Sequence, residues 1–263
     1  ILLGGLIALS LNQSLSEQKE AVARKKQLLQ PPGYIGEIPT PEGYNRPVQD
    51  TTSYAHFLRS YPLKQQDSIV NLFNGQPKHN QTVHYAILDV PIGDRNLLQC
   101  ADAVMCLYGL YHYKRQDYAA IHFNLLRDNK PRYFVDYSDK RDAETFRSYM
   151  DYIYGYANTR SLKNEMVPVA DSSDIRIGDV FIVTGRPYGH AVFAVDKAVS
   201  QNSGDAIFLL AQSFMPAQEI HILKNPNDAG LSPWYSFNPE QSLHTPEWHF
   251  PTGSRHRFPD EAN

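Results

Sequence analysis

Cys100, His190 and a polar residue near position 212 stand in the order that thiol-based acyl transfer uses. Such chemistry needs a thiolate, an imidazole that takes the thiol proton, and a third group that orients the imidazole. Cys100 lies at the start of a helical stretch, where unpaired N–H groups and the helix dipole favour a thiolate and can receive a developing oxyanion. His190 follows Tyr188-Gly189 at the mouth of a strand. These positions assign Cys100 as nucleophile, His190 as base, and Gln212 or Ser213 as the orienting group. The plainer alternative is a core cysteine, because Cys100 shares an apolar stripe with Val104, Leu107 and Tyr111. Cys106 lies on another face of the same helix, about 9 Å further along its axis, too far for a disulfide with Cys100. It is expected to be inert core.

Several elements must position these residues. A helix is predicted over 95–116, with Asn96 and Gln99 as a capping box. The turn Ile175-Arg176-Ile177-Gly178-Asp179 opens a run of three strands, VFIVT, HAVFAVDKA and AIFLLAQSF, the last two joined at Ser200–Gly204. A hairpin centred near residue 201 sets position 212 opposite 190; a slip of one residue substitutes Ser213. Upstream, a short helix is expected around Tyr54, Phe57 and Leu58, and a strand over 84–90. Residues 118–137 are expected to be strand-like, and 141–158 helical. The last forty residues, with Pro226, Pro233, Pro239 and Pro246, are expected to wrap the domain irregularly. Helix followed by antiparallel meander is the α+β pattern. Asp102 is placed either to orient a base or to pair with a cation such as Arg95, the structural role being the one expected, and with Ser213 and Tyr188 it is a candidate to line the substrate cleft. Asp179 is expected to cap its turn.

The segments QCADAVMCLYG, RIGDVFIV and GHAVFAV together resemble the NlpC-like cell-wall peptidases. Over about 38–258, the phrases LRSYPLK, QCADAVM, GDVFI, GHAV, LLAQSFMPAQ and SPWY also resemble an uncharacterised bacterial envelope family, a domain of unknown function. The first resemblance implies a papain-like α+β fold with the nucleophile helix packed on an antiparallel sheet. It also implies Cys100 as nucleophile, His190 as base and Gln212 in the third polar position. This chain departs from the peptidase motif Asp-Cys-Ser-Gly, having Gln99 before the cysteine and Ala101-Asp102 after it. The separation of 90 positions from Cys100 to His190 leaves room for an insertion, about 118–174, that reshapes the cleft. Peptidoglycan peptides are the substrates the resemblance implies.

Composition narrows the alternatives. Hydrophobic residues make up 42% and charged residues 20%, with a formal net charge of -3. No basic stripe is available to neutralise a phosphate backbone, so nucleic acid is excluded as a partner. His244, His249 and His256 lack metal-ligand spacing, so no metal or cofactor is expected. The opening ILLGGLIALS resembles part of a signal segment and predicts export to the periplasm or envelope. Residues 1–37 are then signal or membrane tether plus linker, and 38–263 one hydrolase domain, expected to be monomeric. The 17 tyrosines and 12 phenylalanines suit either a core or a cleft gripping an extended polymer. The competing reading is thus an inactive envelope module that binds glycan or peptide.

Overall fold

The β-branched and aromatic runs after Asp179 build the centre of an antiparallel sheet, as their residue types favour. The computed structural model describes residues 31–65, 68–170 and 174–261. Both the apolar opening and the stretch 11–30 therefore lie outside the described residues. In chain order the strands are β1 (Tyr44–Asn45), β2 (His84–Ile87), β3 (His122–Asn124), β4 (Pro131–Tyr133) and β5 (Val167–Pro168). Then come β6 (Val180–Val183), β7 (His190–Ser200), β8 (Ala206–Gln212), β9 (His221–Leu223) and β10 (Tyr235–Ser236). The chain closes with β11 (Leu243–His244), β12 (His249–Phe250) and β13 (Arg255–Arg257). The α-helices are α1 (Tyr54–Arg59), α2 (Cys100–Lys114), α3 (Phe134–Tyr137), α4 (Ala143–Tyr156) and α5 (Thr159–Glu165). The main sheet runs β2-β9-β8-β7-β6-β13-β5, with β1 on β7 and β10 on β8, and every pairing is antiparallel. The architecture is α+β.

Strand β7 is buried on both faces, which is why it forms a nearly continuous apolar run. Ala191, Phe193 and Val195 face a large core that includes Ala101, Val104 and Leu107 of α2. Val192 and Ala194 face a second core with Phe181, Phe208, Leu210, Tyr235 and Phe250. Between Ala194 and Asp196 a bulge interrupts the ladder. The buried Asp196 carboxylate there meets Arg46 and Arg59, each at 2.7 Å.

Three sequence expectations change. Helix α2 begins at Cys100, not near Asn96, because the Asn96 side chain is engaged elsewhere: its Oδ1 accepts the Ala217 N–H at 2.7 Å. Gln99 is the cap residue, extended at φ -99° and ψ -163°, and its N–H donates to Asp102 Oδ2 at 2.9 Å. The stretch 118–137 is mixed: a helical turn at Tyr118–Ala120, the β3–β4 hairpin and α3. Nor is the tail merely a wrap, since β10 extends the β8 edge and β13 inserts between β6 and β5.

That insertion fastens the Gly-Asp turn. Gly178 sits at φ +95°, a region only glycine enters freely, and a Cβ there would meet the Tyr54 ring at 3.1 Å. Asp179 Oδ2 accepts the Arg176 N–H at 2.9 Å, the capping expected of it. The same buried carboxylate also takes two bonds from Arg257 of β13, at 2.5 and 2.9 Å. Among the described residues no helix is long and apolar enough to cross a membrane.

Candidate active site

Cys100 is the first residue of α2, so its sulfur sits where backbone N–H groups have no helical partner. Two bonds hold that helix end against the segment leaving β8. One is the Asn96–Ala217 contact already described. The other runs through Ser213, whose Oγ lies 2.9 Å from the Leu98 carbonyl and 2.7 Å from that of Gln218. Ser213 is therefore a buried tether for the nucleophile helix and does not line the cleft.

The last residue pair joining β7 to β8 is Phe193–Ala211, after which β8 continues against β9 instead. Cys100 fits beside the start of β7: the N–H groups of Ala191, Ala101 and Cys100 lie close enough to favour its ionised form. Burial outweighs them, helped by the neighbouring Asp102, and pushes the thiol up to about 11. The lowering expected from a helix N-terminus is thus reversed, because the side chain is only 8% exposed.

His190, the first residue of β7, is 2% exposed. Its ring packs against Phe214, Trp248 and Phe250, with centroids 4.7, 5.0 and 5.9 Å away. Burial holds this imidazole down to about 4, opposed by its hydrogen bond to Gln212 and aided by the charge of Lys78. His190 Nε2 lies 2.8 Å from Gln212 Oε1. The strand register differs from the expected one, because extending the Phe193–Ala211 pair sets Gln212 opposite Val192. A slip of two keeps every side chain on its face, so Gln212 reaches His190 diagonally. No hydrogen bond joins the Cys100 thiol to the His190 ring among the described residues, and His190 Nδ1 makes none either.

A cleft runs along this site. Cys100, Ala101 and Asp102 form one side, and Tyr154, Asn158, Thr159 and Arg160 form another. The loop Thr184–Gly189 closes it, with Tyr188, 59% exposed, at the rim. His190 lies behind the wall, next to Gly189. A Cβ on Gly189 would come within 2.4 Å of the Val183 carbonyl oxygen, so glycine lets the loop close over β6. Asp102 does not pair with Arg95, which meets Asp151 at 2.5 Å instead. It caps Gln99, and its buried Oδ1 has no hydrogen-bond partner among the described residues. Burial pushes its carboxyl up to about 8.

Cys106 is buried and unpaired. His244 and His249 face each other across the β11–β12 ribbon while His256 lies on β13 of the main sheet, so the three do not converge. Two charged residues that sequence patterns did not single out, Glu247 and Lys78, stand directly behind Gln212. Both lie outside the regular elements, where no periodicity marks a residue as buried.

No curated protein and no solved structure matches the chain. A family model, described as domain of unknown function (4846), matches residues 36–257, and the chain therefore belongs to the DUF4846 family.

Proposed function

We propose that this chain is a cysteine hydrolase with a papain-like arrangement, acting on an amide of a cell-wall peptide outside the cytoplasm. The observation that carries the reading is a helix-opening cysteine that lines a cleft and lies against the Ala191 N–H, the residue after a buried imidazole whose Nε2 is held at 2.8 Å by Gln212. That hydrogen bond leaves Nδ1 as the nitrogen able to take a proton. Export rests on the apolar opening of the sequence, and the substrate class on the likeness to NlpC-like peptidases.

The resting pair is neutral, a thiol and an imidazole. In the proposed step, His190 Nδ1 removes the thiol proton as sulfur attacks the carbonyl carbon. The oxyanion then faces the free N–H groups at the start of α2. Collapse expels the amine, which leaves with the proton held on His190. Water, deprotonated by the same nitrogen, hydrolyses the thioester and restores the thiol.

The test is labelling with a peptidyl vinyl sulfone, with the modified residue mapped by mass spectrometry. The reading expects attachment at Cys100 in the folded protein, none in Cys100→Ala, and a fall of about 100-fold or more in His190→Ala. Labelling only after unfolding, or unchanged rates in His190→Ala, overturns it. One observation favours a second reading: the thiol is pushed up to about 11 and has no hydrogen bond to His190. A catalytically silent cleft that binds glycan or peptide would then show saturable binding of cell-wall fragments without labelling.

A further inference from the structure

Gln212 carries an amide whose two ends differ chemically, so whatever orients it also decides which nitrogen of His190 bears the proton. Three groups surround it. Glu247 Oε2 lies 2.8 Å from Gln212 Nε2, and the same carboxylate receives Lys78 Nζ through both oxygens, at 2.6 and 2.7 Å. His221 Nε2 lies 3.4 Å from Gln212 Nε2 on another side. The third contact is His190 itself, at the amide oxygen.

The protons in this cluster follow from one fixed acceptor. His221 Nδ1 lies 2.8 Å from the Glu219 carbonyl oxygen, which can only accept, so Nδ1 carries the hydrogen. Burial keeps His221 neutral, down to about 3, so its Nε2 presents a lone pair. Both N–H bonds of the Gln212 amide then have acceptors, one in the Glu247 carboxylate and one in the His221 ring. The amide oxygen is left facing His190, which must donate from Nε2. Turning the amide over would set its oxygen against a carboxylate and a lone pair together.

We infer that Glu247 and His221 are positioning residues that clamp the Gln212 amide and thereby hold His190 as the Nε2–H tautomer, with its Nδ1 lone pair free for the thiol. Lys78 balances the Glu247 charge within the cluster. This inference rests on reading His190 as the base, and it adds residues from β9, the tail and the loop before β2 to a site otherwise built by α2, β7 and β8.

The tautomer itself supplies the test. In ¹⁵N-histidine-labelled full-length protein, the His190 ring nitrogens distinguish Nε2–H from Nδ1–H directly, whether or not any substrate is turned over. The wild type is expected to show Nε2–H. Glu247→Met, similar in length but without an acceptor, is expected to show a substantial Nδ1–H population and slower vinyl sulfone labelling, on the order of tenfold or more. If that variant fails to fold, Glu247→Asp keeps a charge for Lys78 but withdraws the acceptor by one methylene. A wild type in the Nδ1–H form, or a folded variant with an unchanged tautomer, overturns the clamp. The two readings separate cleanly: an Nε2–H wild type with unreactive Cys100 keeps the clamp and loses the hydrolase. His190-dependent labelling with a tautomer indifferent to Glu247 does the reverse.

Discussion

Replacing Asp102 with Asn should stabilise this protein strongly at alkaline pH and much less, by about 1.6 kcal/mol, at pH 5. Asp102 is buried in the first turn of α2, accepts one bond from the Gln99 N–H, and has no partner for Oδ1 among the described residues. Burial therefore raises its carboxyl from 3.8 to about 8 in the folded state. The folded state then holds a proton that the unfolded state releases, so stability falls as pH rises between these two values. At 1.36 kcal/mol per unit, the loss is on the order of 4 kcal/mol by pH 7 and about 6 kcal/mol above pH 8. Asn keeps an oxygen for Gln99 and never ionises, so it removes this loss. About 4 kcal/mol corresponds to a rise in Tm of roughly 10 °C for a domain of this size. The assay is thermal and urea unfolding of both proteins at pH 5, 7 and 9. A variant destabilised equally at all three values would refute the reasoning, since it would mean that Asp102 is ionised in the fold and serves as a charged cap.

Three further outcomes follow from the same geometry. Alkylation of Cys100 by iodoacetamide, followed by peptide mass mapping, should rise about tenfold per pH unit from pH 7 to 10, because the thiol titrates near 11; a plateau below pH 8 would instead reveal a preformed thiolate–imidazolium pair. Asp179→Asn, which leaves the buried Arg257 without its carboxylate, should cost about 3–5 kcal/mol in urea denaturation, and a loss under 1 kcal/mol would show that the pair contributes little. Gly189→Ala drives a Cβ to 2.4 Å from the Val183 oxygen and 2.6 Å from Thr159 Oγ1, so stability should fall by about 1–3 kcal/mol and Cys100 labelling should slow; a variant indistinguishable in both measurements means that the loop has room to move.

The β half of the molecule was legible because its signals are local. Residues 180–183, 190–200 and 206–212 are apolar, β-branched runs separated by turn residues, and each became a strand. The meeting of Gln212 with His190 was legible for a subtler reason. The register was off by two, and a period of two forgives an even error. Helix α2 was visible from its spacing, but its first residue was not. Asn96 looks like a cap in the sequence, and only its bond to Ala217, more than a hundred residues away, shows why the helix starts at Cys100.

What the sequence by itself determined is the class of the fold and the order of the chemical groups: a cysteine near the start of a helix, a glycine that permits the turn before β6, and a histidine opening β7. These depend on residue type and short spacing. Only the tertiary structure decided the electrostatic state and the surroundings of those groups. Burial reverses the lowering of the Cys100 thiol expected at a helix end, and raises Asp102 as well. Glu247 reaches Gln212, and Lys78 reaches Glu247, from segments without a periodic pattern. Desolvation and long-range pairing depend on which distant residues close over a site, and no local stretch of sequence carries that information.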